Sequence, residues 1–84
     1  MRILHLTLHR KWFDAIASGS KREEFREMKP YWIKRLEGKT FDRVHFRNGY
    51  RPDSPTMTFE CNGIYRDEWA NEYAIHLGNR VQED

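Results

Sequence analysis

The pattern of apolar and polar residues along the chain predicts six strands, at residues 3–9, 21–28, 41–48, 56–61, 64–65 and 73–77. Side chains of a strand point alternately to its two faces, so a period of two places one face in a core. In the first segment that face carries Leu4, Leu6 and Leu8. In the third it carries Val44 and Phe46. We expect these five residues to be buried.

Two segments between the strands have helical spacing instead. The first begins near residue 10 and ends at Gly19, because glycine readily adopts the left-handed conformation that ends a helix. The second covers residues 30–37 and has Pro30 in its first turn, where the missing N–H of proline costs nothing. We expect the large aromatic residues of both helices to be core anchors: Trp12, Phe13 and Trp32.

Turn signals suggest how the strands are connected. Asn48-Gly49 ends the third strand, and Asn62-Gly63 is typical of a two-residue hairpin turn between the strands at 56–61 and 64–65. The loop at residues 52–55 contains two prolines, and residues 80–84 are expected to be frayed.

The half-polar strands and short helices predict an α+β fold with one domain over residues 1–84. A small parallel sheet is one arrangement of such elements. Strands with one polar face are more typical of antiparallel sheets. We therefore favour a small, largely antiparallel β-barrel with two short peripheral helices.

Composition narrows the range of functions. The chain has 84 residues and a net charge of +2, from fifteen Lys and Arg against thirteen Asp and Glu, which excludes nucleic-acid binding driven by overall charge. The single cysteine, Cys61, cannot form an intramolecular disulfide, and the histidines lack zinc-ligand spacing. The N-terminal residues lack the apolar run of a signal peptide. We expect a cytoplasmic protein with no metal, cofactor or membrane partner.

The most informative segment is Gly19-Ser20-Lys21-Arg22-Glu23-Glu24-Phe25-Arg26. Glu24 and Arg26 lie on the same face of the predicted strand, and Lys21 lies where the helix leads into it. Together they could hold a polar ligand, with Lys21 and Arg26 binding phosphate or a base edge and Glu24 accepting from an amino group. The alternative is that Glu24 and Arg26 pair with each other on a solvated face.

Gly19, Lys21, Glu24 and Arg26 match the G-x-K-x-x-E-x-R motif, so this part of the chain resembles the ASCH domain family. The resemblance implies a PUA-like β-barrel with a cleft beside the motif that binds RNA or a nucleotide-like ligand. Some ASCH-type proteins are hydrolases of acylated cytidine or of RNA, which would make Lys21 and Glu24 the catalytic candidates. In the amidohydrolase type, however, a threonine stands at the position of Glu24.

A second candidate binding surface follows the third strand. Arg43, His45 and Arg47 share one face of it, where they could contact phosphates. Asn48 and Tyr50 follow at the turn, and Tyr50 could stack on a base. The alternative is that the arginines pair with acids such as Glu60 on a neighbouring strand and that Tyr50 covers the end of the barrel.

These observations favour binding of RNA or a nucleotide-like ligand. Hydrolysis of a modified nucleoside or of RNA is the first alternative, on the same motif residues. A protein-interaction module is the second, since aromatic residues make up 14% of the chain.

Overall fold

The structure, a computed structural model, describes residues 1–82. It has an α+β fold with five strands and two helices. In chain order the elements are β1 (Ile3–Leu8), α1 (Arg10–Ser18), β2 (Glu23–Glu27), α2 (Pro30–Leu36), β3 (Arg43–Asn48), β4 (Thr56–Asp67) and β5 (Glu72–Val81).

One sheet contains all five strands, in the order β1-β3-β4-β5-β2. The β1–β3 pair is parallel and the other three pairs are antiparallel, so the expectation of a largely antiparallel sheet is confirmed. The sheet curls into a half-barrel, and β1 and β2 form its two edges. The first and last strands of the sheet order therefore come from neighbouring parts of the chain.

α1 ends and α2 begins where the local sequence predicts. Gly19 adopts φ 86° after α1, and its N–H donates to the carbonyl of Ile16. Pro30 occupies the first turn of α2, as expected. Within residues 1–82, no helix is long and apolar enough to cross a membrane.

The core lies on the inner face of the sheet. The five residues expected there are all buried, and the remaining large core residues come from α1, α2, β4 and β5: Phe13, Ile16, Leu36, Met57, Phe59, Tyr73, Ile75 and Leu77. Each fully buried side chain of this size stabilises the fold by about 1.5–3 kcal/mol. The alternation of leucines in β1 thus identified the inner face correctly.

The predicted hairpin turn at Asn62-Gly63 is wrong. β4 runs without a break from Thr56 to Asp67, and its pairing with β5 shifts register on either side of Cys61. Gly63 adopts φ 123°, which a glycine tolerates, and this conformation lets the strand continue through the irregularity. An Asn-Gly pair therefore marks a bend within one long strand.

The chain reverses instead between β4 and β5. The carboxylate of Asp67 accepts the N–H groups of Trp69 and Ala70, and Asn71 adopts φ 55°. Side-chain acceptors of this kind stabilise turns without glycine.

The expectation of a frayed C-terminus is also wrong for part of the segment. β5 extends to Val81, which pairs with Thr58 of β4. The remainder of the predicted frayed segment includes residues 83–84, which lie outside the described residues.

Candidate functional site

The two edges of the half-barrel are joined by one side chain. Arg26 of β2 donates from Nη2 to the carbonyl of Thr7 on β1, at 3.2 Å. Its Nη1 donates to the Phe25 carbonyl at 2.9 Å and to Glu24 Oε2 at 2.7 Å. The guanidinium thus bridges the seam between β1 and β2.

Glu24 is buried beside this seam. It pairs in register with Ile75 of β5, whose side chain is in the core, so the alternation of β2 turns Glu24 inward. Its Oε1 accepts the N–H of Phe25 at 3.0 Å and lies 3.6 Å from Lys21 Nζ. Glu24 does pair with Arg26, as the alternative expected. Only 5% of Glu24 is exposed, so the expectation of a solvated face is wrong for this residue. Both carboxylate oxygens are engaged, and the residue orients the two cations.

Lys21 lies between two aromatic rings. Its Nζ is 4.8 Å from the ring centre of Trp12 and 5.1 Å from that of Phe25. Lys21 precedes β2, which is shorter than the predicted strand, and Gly19 ends α1 just before it. Cation–π attraction and the nearby Glu24 carboxylate together hold the ammonium group in place.

The expectation that all three helical aromatics anchor the core is wrong for Trp12. Phe13 is buried and Trp32 is half-buried, with the guanidinium of Arg26 5.3 Å from its ring centre. Trp12 is 42% exposed and Phe25 is 39% exposed. Phe13 and Ile16 form the buried face of α1, which turns Trp12 toward the seam.

These side chains surround a cavity of about 560 Å³, called here the seam cavity. It is lined by the end of β1, the start of α1 and the segment that carries the motif, with these residues: Thr7, Leu8, His9, Trp12, Lys21, Glu24, Phe25 and Arg26. The two cations and one carboxylate give it a net charge of +1. A site with partly exposed aromatic side chains and an excess positive charge suits a planar anionic ligand.

The basic residues of β3 lie on the other face of the sheet. Arg43, His45 and Arg47 alternate with Val44 and Phe46, which are fully buried in the core. The three basic residues lie on the outer face, and none of them lines the seam cavity.

Contacts on that outer face involve the neighbouring strands. His45 Nδ1 lies 2.9 Å from the hydroxyl of Thr58, and its ring packs edge-on to His5. Arg43 is opposite Glu60 in the β3–β4 register, while the Glu60 carboxylate accepts the N–H of Asn79.

Asn48 and Tyr50 have a different position from the arginines that precede them. They line a second cavity of about 260 Å³, called here the loop cavity. It shares three residues with the seam cavity: Thr7, Leu8 and His9. The candidate binding residues at and after the third strand are thus divided: the basic residues lie on the outer face of the sheet, and Asn48 and Tyr50 lie at the loop cavity.

Five residues of the seam cavity were not singled out from the sequence as site residues. Phe25 lies within the motif, and its exposure on an edge strand is the signal that could have identified it. Trp12 shares the predicted helix face with core residues. Thr7, Leu8 and His9 carry no signal, because the site uses their position at the end of β1 and the start of α1. Among residues 1–82, no three His, Cys, Asp or Glu side chains are grouped so that they could hold a metal ion.

Comparison with protein-family models, curated proteins and solved structures gave no match for this chain.

Proposed function

We propose that the protein is a PUA-like domain of the ASCH type that binds a nucleotide or single-stranded RNA in the seam cavity. The observation that carries this proposal is the placement of Lys21 between the exposed rings of Trp12 and Phe25. The motif resemblance supports it, since Lys21, Glu24 and Arg26 converge on one cavity.

The aromatic rings supply the surface for a base. Every base has a flat π-face, and stacking one base on an aromatic side chain contributes about 1–3 kcal/mol. Trp12 and Phe25 both line the cavity, and each residue is about two-fifths exposed. Lys21 contacts both rings, and Lys11 Nζ also lies 4.8 Å from the ring centre of Trp12. A base on either ring would lie next to the Lys21 ammonium.

The cations supply the contact to phosphate. Lys21 has three N–H donors, and its carboxylate neighbour is 3.6 Å away, so donors remain for a ligand. Arg26 is more fully engaged, because its Nη atoms donate to Thr7, Phe25 and Glu24. We therefore assign the direct phosphate contact to Lys21. The main role of Arg26 is to hold together the two strand edges that border the seam cavity.

Binding fits this geometry better than hydrolysis. A general base needs a free lone pair directed at the proton that it removes. Glu24 Oε1 accepts from Phe25, and Oε2 accepts from Arg26 at 2.7 Å. Each oxygen thus accepts a structural hydrogen bond, and the burial of Glu24 limits the access of its remaining lone pairs to a hydrolytic water.

Calorimetric titration with the four ribonucleoside 5′-monophosphates at low ionic strength tests the proposal. We expect binding that weakens with added salt, about tenfold weaker binding for Trp12→Ala and a marked loss for Lys21→Ala. Lys34→Ala is the charge-matched control, because Lys34 is exposed on α2 and does not line the cavity.

Circular dichroism of each variant shows whether its fold is retained. Absence of binding by the native protein, or equal binding by the Lys21→Ala, Trp12→Ala and Lys34→Ala variants, would refute the proposal.

A further inference from the structure

The seam and loop cavities adjoin each other along the end of β1. They share Thr7, Leu8 and His9, so a ridge of three residues separates them. At a strand rise of roughly 3.3 Å per residue, these three residues span about 7 Å along the chain. One sugar–phosphate link of an extended strand can cross such a distance.

The loop cavity has the side chains that a second nucleotide would need. Tyr50 is 88% exposed and presents a ring face, and Asn48 presents an amide. Arg10 supplies a positive charge, with only a loose, exposed contact of 3.6 Å to Asp14. None of the described residues that line this cavity is acidic.

The loop that carries Tyr50 is held at both ends. The Asn48 N–H donates to the Pro55 carbonyl at 2.9 Å, and the Ser54 N–H donates to the Arg51 carbonyl at 3.0 Å. Proline at residues 52 and 55 further restricts the backbone. An exposed ring on a restrained loop loses little conformational freedom when it stacks on a ligand.

We infer that the loop cavity is a second nucleotide subsite, so that the protein selects single-stranded RNA of two or more nucleotides over a mononucleotide. This inference rests on the proposed function, because the first nucleotide occupies the seam cavity. The second base stacks on Tyr50, and Arg10 contacts the phosphate that crosses the ridge.

Titration of the full chain with uridine 5′-monophosphate, the dinucleotide UpU and a uridine tetranucleotide tests the inference, with the adenosine series in parallel. We expect both dinucleotides to bind about tenfold more tightly than their mononucleotides, since stacking of a second base is added. Tyr50→Ala should abolish this gain and leave mononucleotide binding unchanged. Trp69→Ala is the matched control, because Trp69 is fully exposed at the β4–β5 turn and lines neither cavity.

The outcomes separate the two proposals. The second subsite is overturned if mononucleotide and dinucleotide bind with equal affinity, or if the affinity gain of the dinucleotide persists in Tyr50→Ala. In either case, Lys21-dependent binding of the mononucleotide still supports the proposed function. A dinucleotide that binds without dependence on Lys21 or Trp12 overturns the proposed function and this inference together.

Discussion

Removal of the Glu24 carboxylate should destabilise the protein well beyond the effect of an ordinary surface substitution. Glu24 is the anion between Lys21 and Arg26, and its side chain is only 6% exposed. In Glu24→Ala the two cations remain at the seam without their counter-charge, and the Phe25 N–H loses its acceptor.

The size of the effect follows from the exposure of the partners. Removing one member of a fully buried ion pair costs about 3–5 kcal/mol. The side chains of Lys21 and Arg26 are 20% and 17% exposed, so water partly solvates them. We therefore expect Glu24→Ala to lower the free energy of unfolding by about 2–3 kcal/mol. Glu24→Gln should cost about half as much, because the amide oxygen can still accept a hydrogen bond.

Urea denaturation followed by tryptophan fluorescence and by circular dichroism measures this difference. The slope of the free energy against urea should stay constant, since the surface exposed on unfolding is unchanged. The expected loss for Glu24→Ala corresponds to a fall in melting temperature of roughly 10–20 °C for a domain of this size. Glu27→Ala is the matched control on the same strand, because the Glu27 side chain is 65% exposed and pairs only with an exposed lysine among its described contacts.

A Glu24→Ala variant that is no less stable than Glu27→Ala would refute the argument. A double-mutant cycle of Glu24→Gln with Arg26→Met gives a second measurement. We expect a coupling energy of about 1–2 kcal/mol between these residues, and a value near zero would show that their contact does not stabilise the seam.

Two further predictions concern Tyr73 and the glycines. Burial, followed by the nearby Glu37 carboxylate, raises the pKa of Tyr73 above its usual 10.0, with Arg66 acting in the opposite direction. At alkaline pH the folded state therefore keeps the Tyr73 proton where the unfolded state releases it, so the free energy of unfolding should fall as the pH rises above about 10. Measured from pH 8 to 11, the free energy of unfolding should fall less steeply for Tyr73→Phe than for the native protein. Equal slopes would contradict this. Gly63→Ala should cost about 2 kcal/mol or more in urea denaturation, because φ is 123° and the new Cβ would lie 3.1 Å from the Tyr65 ring. Gly38→Ala, at φ 68° in open space, should cost about 1 kcal/mol, and the reverse order of the two variants would show that the Tyr65 contact is unimportant.

Local patterns in the sequence predicted the elements that depend on near neighbours. The leucines of β1 identified its buried face, and Gly19 and Pro30 marked the end of α1 and the start of α2. These features follow from side-chain alternation and backbone conformation, which a few adjacent residues determine. The motif at Lys21, Glu24 and Arg26 was visible for the same reason.

Features that depend on contacts between residues far apart in the chain were not predicted correctly from the sequence. Asn62-Gly63 has the composition of a hairpin turn, but pairing with β5 holds it within one long strand. Trp12 has the spacing of a core residue, but Phe13 and Ile16 fill the buried face of α1. In both cases the deciding contact is with another element, and local preference was overridden.

The sequence by itself determined which residue types were available for the site, with two cations, one carboxylate and an excess of aromatic rings. Only the tertiary structure decided which of them meet. Curling of the sheet brings the β1 and β2 edges together, so that Thr7, Trp12 and Lys21 surround one cavity. The same alternation that buries Val44 and Phe46 turns Arg43, His45 and Arg47 to the opposite face. Burial of the apolar side chains fixes which face of each strand is inside, and the positions of the charged residues follow from it.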